Sequence, residues 1–285
     1  MKKLLGVTLG ITFFLIVWGT VVRSFGAGLA CPDWPLCHGQ IIPPFDFLVL
    51  LEWGHRLIAS IVGLLTLTVV IYIFKNREYR KQVGALTFFA FVLLILQAIL
   101  GGMTVLATLK PLLVTIHLGT GFFFLGLLLW IYLRLKYQKV AATFWHGGGF
   151  ALLTLLAYVQ ILLGGWVAAN HAGLACPDFP TCFGALVPPL EGLVGYQFFH
   201  RVGAFVLLFF LIFYSVCMNK TLKSYFKKQM LVLLKLIVIQ IVLGVANIEW
   251  ELPTWVRIAH MAMAASIFAM LLIATYKARY VAVSQ

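Results

Sequence analysis

Charge is the scarcest commodity in this 285-residue chain: only 10% of residues are Asp, Glu, Lys or Arg, while 63% are hydrophobic. Mean hydropathy is +1.04. That balance excludes a sizeable soluble domain. Acids are rarer than bases, eight against 21, which gives a net charge of +13. The excess invites a nucleic-acid reading, but the positions of the bases argue against it, because they recur in alternate loops. Cysteine is also rare, with five in the chain. At the depth of the histidines that fall in the apolar runs, no cluster of cysteines or carboxylates is visible. A zinc site, which wants a fourth Cys, His or carboxylate ligand, and a copper site, which favours nearby sulfur, both fit poorly.

What remains is a series of apolar runs, each long enough to cross a bilayer at about 20 residues. Eight spans are read, at 4–22, 47–74, 83–106, 112–135, 148–168, 191–217, 229–248 and 254–276. The expected architecture is an all-α polytopic membrane protein of eight transmembrane helices. Lys2 and Lys3 precede the first span, and Lys75, Arg77, Arg80 and Lys81 follow the second. Arg134, Lys136 and Lys139 follow the fourth, Lys220, Lys223, Lys227 and Lys228 the sixth, and Lys277 and Arg279 the eighth. All fall on one side, which the positive-inside rule assigns to the cytoplasm together with both termini. Every acid but Glu78 lies on or near the opposite side. Ala-Gly-Leu-Ala before Cys31 resembles a signal-peptide cleavage site. The same Ala-Gly-Leu-Ala-Cys-Pro-Asp recurs at 172–178, so the first span is expected to be a retained helix.

That recurrence belongs to an internal repeat. Residues 26–44 (GAGLACPDWPLCHGQIIPP) align with 171–189 (HAGLACPDFPTCFGALVPP) at an offset of 145. The offset also places Gly19 on Gly164, His55 on His200 and Arg56 on Arg201. An offset of 143 places Gln97 on Gln240, Gly101 on Gly244 and His117 on His260. Each half therefore has four spans. Two pseudo-symmetric four-helix bundles are expected, 1–140 and 141–285, in the same orientation about an axis along the membrane normal. The short basic segment 136–147 connects them.

Four of the seven histidines lie in spans, one in each even-numbered span: His55, His117, His200 and His260. Each sits within a few turns of the outer end. A single intramembrane histidine reads as a polar group between helices. Four, paired by the repeat and matched in depth, read as two bis-histidine haem sites, His55 with His117 and His200 with His260. His38, His146 and His171 read as ordinary loop residues. Arg56 and Arg201 either snorkel to the interface or pair with a haem propionate. Gln97 and Gln240 read as helix-packing groups.

Cys31 with Cys37, and Cys176 with Cys182, flank equivalent outer loops on an oxidising face, where disulfides are expected. They are either structural or redox-active. Cys217 reads as a buried small hydrophobe. The halves differ at one decisive position. Glu52, three residues before His55, corresponds to Gln197. A carboxyl beside the first histidine can accept and release protons, whereas the amide cannot. If both halves bind haem, the first carries a proton-transfer group and the second reads as an electron carrier.

The combination of eight spans in two halves, one histidine in each even span, Glu-x-x-His-Arg at 52–56 and paired loop cysteines resembles the haem A synthase family, over nearly the whole chain. The resemblance implies an oxidoreductase that converts the C8 methyl group of haem O to a formyl group, giving haem A for cytochrome oxidase biogenesis. It implies that His55 and His117 flank the substrate haem O, that His200 and His260 ligate a haem b cofactor, and that Glu52 is catalytic. It also implies a cell (plasma) membrane location, and contact with lipid, haem O synthase and an electron acceptor. Rival readings are a b-type cytochrome passing electrons between quinol and a partner, a membrane thiol oxidoreductase using the outer cysteines, and a non-catalytic assembly factor.

Overall fold

A computed structural model describes residues 1–137, 144–218 and 224–280. Its elements are α1 (Lys2–Ser24), α2 (Phe47–Lys75), α3 (Arg77–Leu106), α4 (Pro111–Lys136), α5 (Phe144–Ala169), α6 (Gly192–Cys217), α7 (Ser224–Glu249) and α8 (Thr254–Tyr280). Among the described residues no named strand occurs, and the eight helices are all long and apolar enough to cross a membrane. Lys139, Lys220, Lys223 and the expected boundary between 140 and 141 lie outside the described residues. The largest departures from the expected spans are at α3 and α7, which begin at Arg77 and Ser224. Their first turns are polar, so hydropathy alone stops short, but nothing there breaks a helix. Asn76 caps α3 by accepting from the backbone N–H groups of Glu78 and Tyr79, and Asp46 caps α2 in the same way through Leu48 and Val49.

The chain divides into two compact units, Met1–Tyr137 and Gln138–Gln285. In the first, α1 packs on α2, α2 on α3, α3 on α4, and α4 returns to α1. This closed ring sets α2 and α4 diagonally opposite one another. The second unit repeats the ring with α5, α6, α7 and α8, so α6 and α8 are its diagonal pair. At the end of each unit away from the cysteine loops the centre is filled. Val62, Val69, Ile73, Leu93, Phe124, Leu128 and Ile131 do this in the first unit, and Phe150, Leu153, Leu211, Leu233, Ile267 and Leu271 in the second. The histidines lie toward the other end, beneath the cysteine loops.

Cys217 departs from the sequence reading: it is a free, exposed thiol at the last turn of α6 rather than a buried one. Phe213 and Val216, on the same helix face, are exposed with it. His146 is likewise not in a loop, because α5 begins at Phe144.

Candidate functional site

His55 and His117 stand on the diagonal helices α2 and α4, each with Nδ1 buried inside the protein. His200 and His260 stand on the corresponding diagonal helices α6 and α8. Each ring rests on a glycine of a neighbouring helix. A Cβ at Gly19 would stand 3.4 Å from Cε1 of His55, at Gly101 3.4 Å from that of His117, at Gly164 2.9 Å from that of His200, and at Gly244 3.4 Å from that of His260. At Gly164 a Cβ would press on the imidazole, and at the other three it would fill the space against the ring. The repeat offsets had already aligned these glycines in pairs, and the geometry gives the reason.

The residues suit a haem. The donors are two imidazoles on opposed helices, each ring is half-buried rather than sealed, and the glycine beneath it forms a cradle that a side chain would fill. Nδ1 of His55 and His117 is buried with no hydrogen-bond partner, so no contact there fixes which ring nitrogen carries the proton. Among the described residues, no three His, Cys, Asp or Glu side chains gather as a metal cluster would require. A separate cavity of about 160 Å³, lined by Leu211, Ser215, Lys227 and Met230 among others, contains none of these histidines.

Glu52 is buried, 6% exposed. Its Oε1 accepts from Nε of Arg56 at 3.0 Å. The same guanidinium donates through Nη1 to the backbone oxygens of Asp33 (2.7 Å) and Leu36 (2.5 Å), and through Nη2 to that of Cys31 (3.0 Å). Arg56 therefore ties the cysteine loop to the acid. Four of its five N–H groups are committed before any haem carboxylate is considered. Arg201 repeats the clamp on Asp178, Thr181 and Cys176. Because Gln197 replaces the acid, Nε of Arg201 and Oε1 of Gln197 are both buried without a partner.

Both loops are closed by disulfides, Cys31–Cys37 and Cys176–Cys182. Inside each, an aspartate holds the turn. Asp33 accepts from the backbone N–H groups of His38 (2.7 Å) and Gly39 (2.8 Å), and Asp178 accepts from those of Phe183 (2.6 Å) and Gly184 (3.0 Å) and from the Thr181 hydroxyl. Gly39 and Gly184 have φ of +71° and +73°, which is why glycine stands at both. Hydrogen bonding by the Gly39 amide lowers the pKa of Asp33, and that by Thr181 and then Gly184 lowers that of Asp178 to about 2. His38 is part of this loop scaffold, its Nε2 lying 2.9 Å from the Ala30 oxygen. His171 stands before the 3-10 turn Ala172–Leu174 with φ 56°, where the first loop has Gly26.

Gln97 serves helix packing as read, donating from α3 to the Thr120 hydroxyl on α4. Three polar residues of the second unit escaped the sequence reading. Gln160 donates to the backbone oxygen of His200 at 2.8 Å and lies 3.1 Å from its Nδ1. Asn247, on α7, is 9% exposed with a buried, unpartnered Oδ1. Arg257 stands three residues before His260 on α8. The signal was available, since the repeat offsets place Leu15, Thr104 and Val114 at these positions in the first unit.

Fold and site together define a class: a multi-pass helical membrane protein built from two related four-helix units, each turning a pair of histidines toward its interior. The profile of the COX15-CtaA family, described as cytochrome oxidase assembly protein, matches residues 2–47 and 44–272, and the chain belongs to that family. It is similar to a haem A synthase of Shewanella oneidensis, 31% identical with 90% of each chain covered. Others are a haem A synthase of Symbiobacterium thermophilum, 32% identical over 72% of each chain, and one of Bacillus licheniformis, 27% identical over 93% of each.

Proposed function

We infer that the chain is a haem A synthase, an oxidoreductase that converts the C8 methyl group of haem O to a formyl group and so supplies haem A to cytochrome oxidase. Family membership and the relatives support the reaction. One observation carries the division of labour: the two histidine pairs are alike, but only the first has a buried carboxylate one helical turn from its histidine.

On this reading residues 1–140 hold the substrate, with His55 and His117 flanking the iron of haem O. Residues 141–285 hold the resident cofactor, with His200 and His260 ligating haem b. The bound haem b supplies one-electron transfer. The reacting carbon is at the edge of the macrocycle, so imidazoles on both faces of the iron do not obstruct it. Turning a methyl into a formyl group takes an oxygen atom from water and releases four protons and four electrons, the electrons going to the acceptor. Glu52 is the proton acceptor: Arg56 holds Oε1, which leaves Oε2 to take the proton. Arg56 and Arg201 offer haem carboxylates only the N–H groups that their loop bonds leave. The disulfides are structural, and the clamps seal the loops over the units. The protein lies in the cell membrane with both termini cytoplasmic and the cysteine loops outside. It receives haem O from its synthase and passes electrons to an acceptor.

The test is pigment analysis. Purified protein, extracted and analysed by mass spectrometry, should contain haem O or haem A beside haem b; haem b alone would make it an electron-transfer cytochrome. Glu52→Gln should retain its haem and form little haem A. Normal haem A formation by that variant would remove Glu52 from the reaction.

A further inference from the structure

Besides Glu52 against Gln197, the two units differ in polarity at three places around their histidines. The Gly244–His260 contact joins α7 to α8. One turn nearer the cysteine-loop end, Asn247 follows Gly244 on α7 and Arg257 precedes His260 on α8. Residues three apart share a helix face, and a three-residue step rises about 4.5 Å. Arg257 is half-buried, with Nε out of solvent and Nη2 donating to the Thr254 hydroxyl at 3.2 Å. Asn247 has a buried oxygen without a partner. In the first unit the same layer holds Val114 and Thr104, and Thr104 spends its hydroxyl on the backbone of Gly101 at 2.7 Å. One turn the other way, Gln160 holds His200, where the first unit has Leu15.

A haem carries two carboxylates that are costly to bury without a cation, so they turn toward the nearer aqueous end. His260 is six residues from the first residue of α8, and that end is the one with the cysteine loops. The loop carbonyls already occupy most of Arg201.

We propose that Arg257, with Asn247 beside it, is the carboxylate anchor of the second unit, and that the apolar Val114 layer leaves the first unit without one. This rests on the reading of the second unit as holder of the resident haem. A cofactor must stay through many turnovers, while a substrate haem must enter and its product must leave. Gln160 and Arg257 then serve retention, and Leu15 and Val114 serve exchange.

The experiment is haem transfer from the purified, haem-loaded protein to apomyoglobin, with a redox titration of the haem that remains. The wild type should release haem in a fast and a slow phase. Arg257→Gln should accelerate the slow phase about tenfold, as loss of a charge-assisted hydrogen bond implies. It should also lower the midpoint potential of that haem, because a nearby cation is gone. Arg257→Lys should restore the potential. Val114→Arg should slow the fast phase, and it answers the question independently if Arg257→Gln does not assemble. An unchanged slow phase and potential in Arg257→Gln, or an unchanged fast phase in Val114→Arg, overturns the anchor while leaving the proposed reaction intact. Absence of any low-spin haem from the wild type overturns both.

Discussion

Glu52 and Arg56 are four residues apart on one helix, acid first, which is the favourable order for such a pair. Their burial makes the pair consequential, because removing one member strands the other. Arg56→Leu leaves a buried carboxylate and three unanswered loop carbonyls, and should cost roughly 3–5 kcal/mol. Arg201→Leu should cost less, since no carboxylate accepts from its Nε. Thermal unfolding of both variants in detergent, compared side by side, checks the difference. The histidine cradles make a second prediction. Gly164→Ala places a Cβ 2.9 Å from the His200 ring and should disturb the haem spectrum, more than Gly19→Ala, whose Cβ meets its ring at 3.4 Å. The four histidines and the acid–amide difference were legible because ionisable residues are rare in apolar spans. The arginine clamp was not, because its acceptors are backbone oxygens 20 to 25 residues away in sequence, and no residue type announces a carbonyl. Gln160, Asn247 and Arg257 could be found only by asking where the repeat fails to repeat.

The element that most repays testing is the cysteine loop. Each disulfide closes a separation of six residues, worth roughly 2 kcal/mol by chain entropy. If it is structural, Cys176→Ser should loosen the second loop without abolishing haem A formation. The aspartates set a pH dependence. Asp178 is lowered in the folded loop to about 2. Its stabilising effect is therefore complete above the ordinary carboxyl range and fades as pH falls toward 2. Hydrogen exchange of the Phe183 and Gly184 amides should rise over that window, beyond the intrinsic trend, and Asp178→Asn should flatten the response. The sequence carried the pairing of these loops, because the 145-residue offset is unbroken across them. It did not carry the aspartate turn, since Asp33 is separated from His38 and Gly39 by a path that only folding closes.

Across the whole molecule, eight helices were readable from hydropathy, and the starts of α3 and α7 were misjudged where polar turns continued the helix. The charge asymmetry leads to a simple expectation: a reporter fused after Gln285 should be active only in its cytoplasmic form. His200→Ala and His260→Ala should each remove the resident haem signal while the first unit still takes up haem O. The clamp that closes each unit grips the same three loop positions, 31, 33 and 36 in one and 176, 178 and 181 in the other. Two of the residues in these stretches differ, Trp34 against Phe179 and Leu36 against Thr181, yet the path is kept. An arginine that reads main chain is indifferent to what the loop displays. The loop faces of this protein are thus free to drift, or to be rewritten for a new partner, without loosening the seal above its paired imidazoles.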